Sequence, residues 1–254
     1  MVVVQHGCRL VRVILPLVSA VICAACSAPE YIAAANKNAE CVVLLHGLAR
    51  SARSMRPLQE ALSNRNYAVL NLNYPSTEFV VDVLTEQYLR PALQQENLNS
   101  CQRLHFVTHS MGGILLRDFL SRHKLPNLGR VVMLSPPNQG SELVDKLGGI
   151  FLFRWLNGPA GNQLSTAKDS LPNRLGSVNF ELAVITGDRS LNPFYSWLIP
   201  GDDDGKVAVD RARVEGMSEF MVVPNSHTFI MRDETVIQYV LEYLENGRWQ
   251  ATAS

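Results

Sequence analysis

The sequence predicts an α/β protein: a doubly wound, mostly parallel six-stranded sheet with helices on both faces and an apolar cap inserted late in the chain. Three observations predict it. Short apolar runs bounded by Gly or Pro recur along the chain, they alternate with stretches of helical period, and one strongly apolar segment breaks that rhythm.

The first strand is "CVVLLHG" (41–47), an apolar run stopped by Gly, as expected of a strand buried on both faces. "MRPLQEALSNRN" (55–66) follows, with Leu58, Ala61 and Leu62 at helical spacing. "YAVLNLNYP" (67–75) is the second strand, ended by Pro75. Ser76 and Thr77 can then cap a helix carrying Phe79, Val80, Val83, Leu84 and Tyr88, interrupted near Pro91. "LHFVTHS" (104–110) is the third strand and "GGILLRDFLSRH" the helix after it. "RVVMLSPP" (130–137), "FELAVITGD" (180–188) and "EFMVVPNSH" (219–227) complete the sheet, and "ETVIQYVLEYLEN" closes it as a helix. Residues 141–179 are too long for an ordinary loop in such a fold, and their apolar character marks a cap.

Composition sets the function classes. Hydrophobic residues make up 47% of the chain and charged residues 18%, which suits one globular domain over residues 41–246 with a short tail at 247–254. Lys+Arg and Asp+Glu balance at 23 each, so no basic field invites nucleic acid. Ahead of the domain, Arg9 and Arg12 precede the apolar run "VILPLVSAVICAAC", short for a membrane span and broken by Pro16. This is the pattern of an export leader over residues 1–26, followed by a linker over 27–40. "CAAC" resembles a bacterial lipobox with Cys23 in place of the usual aliphatic residue. Lipidation at Cys26, with membrane attachment through the N-terminus, and plain cleavage into a periplasmic or secreted protein both stay open. Without the leader, Cys41 and Cys101 remain in the domain. In an oxidising compartment they can pair, and two buried free thiols are the alternative.

The chemistry concentrates in "VTHSMGGILL" (107–116). A buried strand runs into Ser110 and a helix runs out, with Gly112 and Gly113 leaving room for a sharp turn. Such a turn holds the Ser at the carboxyl edge of the sheet, where α/β folds bind ligands. The bland reading is a helix N-cap serine. The pattern is nearly the G-x-S-x-G nucleophile elbow, with Thr108 in place of the first Gly. A β-branched residue is comfortable in that strand position, and the expected cost is a slightly opened turn against the following helix.

Acyl transfer by a serine also needs a base, an acid to orient it and donors for the oxyanion. Of the six histidines only His123 and His227 follow Ser110. His123 lies about three turns along the helix and points away, so His227, in the loop "PNSHT" after the last strand, is the geometrically admissible base. Acid candidates are Asp188, Asp202, Asp203, Asp204 and Asp210. Asp204 opens a D-G-x-V turn and Asp188 directly follows its strand. The Asp202–Asp204 run lacks the alternating oxygen ligands that calcium requires, and no metal or other cofactor is called for.

Taken in order, "HGL" (46–48), "HSMGG" (109–113), "SPPNQGSE" (135–142), and "DGKV" with "SH" (204–207, 226–227) resemble the α/β-hydrolase superfamily, and within it the small bacterial lipases and esterases. The resemblance covers residues 41–246. It implies Ser110 as nucleophile, Asp204 as acid and His227 as base. It implies an oxyanion hole from the backbone N–H groups of Leu48 and Met111, with His46 and Gly47 shaping the loop that presents Leu48. It also implies a strand order that seats the strands near Cys41 and Cys101 side by side, which favours a disulfide, and lacks the family's two leading strands. The expected activity is hydrolysis of hydrophobic carboxylic esters, small-molecule or lipid, with the cap supplying an acyl-chain pocket. The competing class is a non-catalytic envelope protein that binds lipid or a partner through the apolar insertion.

Overall fold

The computed structural model describes residues 30–32, 40–95, 98 and 100–250; the leader and Cys26 lie outside the described residues. Six parallel strands form the sheet: β2 (Cys41–Leu45), β3 (Ala68–Leu72), β4 (Leu104–His109), β5 (Leu128–Leu134), β6 (Leu182–Gly187) and β7 (Glu219–Val223). A seventh, β1 (Glu30–Ile32), pairs antiparallel with β3 at the edge. The spatial order is β1-β3-β2-β4-β5-β6-β7. The segment read as linker therefore contributes a short edge strand. It covers the open backbone groups of β3, and three residues carry too little pattern to be read from sequence.

Alternate residues of each central strand feed opposite layers. Val43 and Leu45 belong to one core and Val42 and Leu44 to the other, all fully buried, so β2 reads as an unbroken apolar run. The helix Met111–Arg122 covers the first face with Ile114, Leu115, Leu116 and Phe119. The helices Arg56–Asn64 and Glu234–Asn246 cover the second, through Leu58 and Leu62 and through Val236, Val240, Leu241 and Leu244. The expected break at Pro91 takes another form. The chain stays helical through it, as Val81–Leu84, a π-helical turn over Thr85–Leu89, and Arg90–Leu93. Proline has no N–H for the ladder, and the widened turn just before it absorbs the mismatch.

The remaining features bear on the site. Cys41, opening β2, and Cys101, just ahead of β4, form a disulfide with Cα atoms 5.9 Å apart. The 141–179 insertion folds into helices Glu142–Leu147, Phe151–Asn162 and Leu171–Arg174. A further short helix, Pro193–Leu198, lies between β6 and β7. Since the six strands run in parallel, the loops after β2, β4, β5, β6 and β7 emerge at one carboxyl edge.

Candidate active site

Ser110 stands between β4 and the helix Met111–Arg122 with φ 53° and ψ −125°, a conformation an L-residue adopts only when its surroundings impose it. Its N–H donates to the Leu134 carbonyl at 2.8 Å, and Gly113 N–H donates to the Ser110 carbonyl at 3.0 Å. The elbow is thus closed rather than opened by Thr108. A Cβ on Gly113 would lie 3.3 Å from Thr108 Oγ1, so the glycine on the helix makes room for the threonine on the strand. Gly112 is held by close approach: a Cβ there would fall 2.5 Å from the Leu45 carbonyl oxygen. A Cβ at Gly47 would meet His109 Nδ1 at 2.8 Å and Ser110 Cβ at 3.0 Å.

The structure brings Ser110, His227 and Asp204 together. Ser110 Oγ donates to His227 Nε2 at 2.9 Å, and His227 Nδ1–H donates to Asp204 Oδ2 at 2.8 Å. All three residues are buried, and His227 N–H also donates to the Asp204 carbonyl at 2.9 Å. Asp204 is held from its own turn, where Oδ1 accepts the Lys206 and Val207 amides at 3.0 and 2.8 Å. This is the physical content of D-G-x-V: the carboxylate folds back on the amides two and three residues on, and Gly205 takes the left-handed φ of 95° that the turn requires. Burial alone would push the Asp204 carboxyl up. The charge and hydrogen bond of His227, with Ser135 and the Val207 amide, outweigh burial and hold it below the usual carboxylate range.

The other candidates are placed elsewhere. His123 caps the far end of its helix and pairs with Glu86 at 2.7 Å. Asp188 faces Arg189 at 3.4 Å, and Asp210, almost fully exposed, faces Arg213 at 3.9 Å. Asp202 is exposed, while Asp203 accepts from Gly205 N–H at 2.6 Å and Ser196 Oγ at 3.0 Å.

Met111 is the first residue of its helix, so its N–H has no place in the helical ladder. Leu48 N–H makes no hydrogen bond among the described residues. The loop that carries it is braced on both sides. The His46 ring stacks on Tyr74 with centroids 4.1 Å apart, Tyr74 OH donates to the His46 carbonyl, and Ala49 N–H donates to Ser76 Oγ at 3.0 Å. Burial drives the His46 imidazole down to about 4, so the ring is neutral at ordinary pH.

Three contributors were not singled out from sequence. His109, beside Ser110, donates through Nε2 to the His227 carbonyl at 2.9 Å. Burial, with the neighbouring His227, keeps its imidazole well below the usual range and therefore neutral. Ser141 Oγ donates to the Lys206 carbonyl at 2.7 Å, tying the turn after β5 to the loop of Asp204, and Tyr74 braces the loop that carries Leu48. The "HSMGG" and "GSE" motifs contained the first two, but only the folded chain shows what they touch.

Above Ser110 lies a cavity of about 300 Å³, walled on one side by Leu143, Val144, Phe153, Leu156 and Leu164 of the insertion. The helix Phe151–Asn162 also leaves Phe151, Leu152 and Trp155 exposed, as does the short helix Pro193–Leu198 with Phe194 and Trp197. Among the described residues, no helix is long and apolar enough to cross a membrane.

Among known structures, the chain is similar to a mature lipase of Bacillus licheniformis, BlEst2, at 17% identity and TM-score 0.63, covering 85% of this chain and 98% of that one. It is similar to the phospholipase PlaB of Legionella pneumophila at 19% identity and TM-score 0.65, over 82% of this chain and 60% of that one. It is also similar to the Pyrococcus furiosus esterase PF2001 at 18% identity and TM-score 0.59, over 86% and 90%. At these identities the likeness is one of fold. No curated protein sequence matches significantly. The sequence model described as "Alpha/beta hydrolase family" matches residues 42–243, nearly the whole described domain, and this chain belongs to that family.

Proposed function

We propose that the protein hydrolyses hydrophobic carboxylic esters through an acyl-enzyme on Ser110. The observation that carries this reading is the continuous hydrogen-bond chain Ser110 Oγ, His227, Asp204 at 2.9 and 2.8 Å, opening on an apolar cavity.

In this mechanism His227 Nε2 takes the Ser110 proton as Oγ attacks the ester carbonyl. The Leu48 and Met111 N–H groups receive the oxyanion. His227 then gives its proton to the departing alcohol, leaving the acyl group on Ser110. Water, deprotonated by the same imidazole, releases the carboxylic acid and returns the serine. Asp204 stays ionised throughout and stabilises the transient imidazolium. The apolar insertion holds the acyl chain. An exported setting, with or without a lipid on Cys26, fits the leader pattern and is supported by the disulfide.

A fluorophosphonate probe tests the nucleophile. The protein is expected to label covalently, with labelling lost in Ser110→Ala and in His227→Ala; a folded protein that never labels would leave a non-catalytic binder. An ester series of increasing acyl length tests the pocket. Turnover should rise with chain length, and a preference for short polar acyl groups would refute the substrate class.

A further inference from the structure

The cavity over Ser110 carries an unbalanced charge. Arg50 and Lys206 line it together with the apolar residues of the insertion, and no Asp or Glu does so. Neither cation enters a salt bridge among the described residues. The nearby carboxylates are already engaged: Asp204 by His227 and two amides, Asp203 by Ser196 and Gly205.

Their place in the chain is specific. Arg50 follows the oxyanion-side residue Leu48 by two positions, and Lys206 follows Asp204 by two. Both therefore ride on loops fixed at the reacting centre. The Lys206 backbone is pinned on either side, its N–H donating to Asp204 Oδ1 at 3.0 Å and its carbonyl accepting from Ser141 Oγ at 2.7 Å. Desolvation first, and the Arg50 charge second, hold the Lys206 ammonium below the usual lysine range, with Asp204 opposing. Arg50 is half-buried and Lys206 exposed, so solvent screens part of their mutual repulsion, and an anion bound in the cavity relieves the rest.

We propose that the ester carries a phosphate group on its alcohol part, held by Arg50 and Lys206 while the acyl chain lies against the insertion. The cations belong to the alcohol side because they flank the reacting centre, whereas the wall that suits an acyl tail is apolar and uncharged. Arginine beside lysine suits a phosphate, the one offering a planar fork of N–H donors and the other a mobile point charge. This inference rests on the acyl-enzyme reading: water and ester give the carboxylic acid and the phosphorylated alcohol.

The test compares three esters of one medium acyl chain, each dispersed as monomers: monoacylglycerol, lysophosphatidylcholine and lysophosphatidic acid. The ratio of kcat/KM for lysophosphatidic acid over monoacylglycerol is expected to be about tenfold or more, as for a charge-assisted contact. It should fall as salt is added. Arg50→Gln with Lys206→Gln should bring the ratio close to one, and Arg50→Lys should keep part of it. Fluorophosphonate labelling of the double variant reports that its site is intact. An equal rate on the neutral and phosphorylated esters, or a ratio that survives the double substitution, overturns the proposal. A preference seen only when the esters are embedded in phosphatidylcholine vesicles also overturns it, because the charge would then act at the bilayer surface and not in the cavity. Hydrolysis of every ester without charge preference defeats the clamp alone. Absence of both hydrolysis and labelling defeats the acyl-enzyme reading with it.

Discussion

Ser110 keeps a positive φ because three groups surround it closely: the Leu134 carbonyl on its amide, Gly47 beneath it, and the helix behind. Thr108, which breaks the elbow pattern in sequence, is fully buried next to Gly113, and its hydroxyl has no hydrogen-bond partner among the described residues. Thr108→Val, which removes an unsatisfied buried polar atom at nearly constant shape, should therefore raise stability by up to about 1 kcal/mol in urea denaturation. A loss of stability would show that the hydroxyl is paired in solution. The acid is tested in the same way. Asp204→Asn should reduce kcat by about 10⁴-fold, since the imidazole loses the carboxylate that orients it. Asp188→Asn, which loses the pairing with Arg189, should leave steady-state turnover near wild type. Reversal of these two outcomes would move the acid to Asp188. At this scale Ser110 and His227 were legible in sequence as site residues, by motif and by elimination among six histidines. The D-G-x-V turn and the resemblance favoured Asp204, but Asp188, in the same connection between β6 and β7, satisfies the same chain order, and only the fold brings Asp204 to 2.8 Å from His227.

Among the elements, the loop after β2 has the most distinctive chemistry. His46 is buried and neutral, stacked on Tyr74, and its imidazole is lowered from 6.5 to about 4 by desolvation. A lowered folded value means that the unfolded chain binds the proton first. Stability contributed by the neutral ring is thus complete above the unfolded value and is lost as pH falls from about 6.5 towards 4. His109 shifts in the same direction. The melting temperature is expected to drop steeply over that window, and His46→Asn should flatten part of the slope. A melting temperature independent of pH between these limits would contradict the burial argument. The helices around the sheet were readable from their period. The helical path through Pro91 was not, since the widened π turn before it depends on packing rather than on local propensity.

Over the whole molecule, the parallel strands gather the loops that carry Leu48, Ser110, Asp204 and His227 at one edge of the sheet. The disulfide joins the start of β2 to the approach of β4, the two central strands whose following loops carry Leu48 and Ser110. It closes a loop with a sequence separation of 60. Removing it as Cys41→Ser with Cys101→Ser should cost about 4 kcal/mol in the chain-entropy model, read as a lower denaturation midpoint. An unchanged midpoint would mean that the reduced chain is already restrained.

The sequence by itself determined the six parallel strands, the helical faces that cover them and the serine and histidine of the site. These rest on local pattern: continuous apolar runs, helical period, and glycines where backbones must meet. Only the tertiary structure decided which aspartate reaches the histidine, that Cys41 and Cys101 join, that a three-residue strand covers the β3 edge, and that Arg50 and Lys206 share one cavity. Each of these is a contact between residues far apart in the chain. Local sequence preferences constrain a contact of that kind only weakly, and its distance is set when the sheet order brings the loops to a common edge.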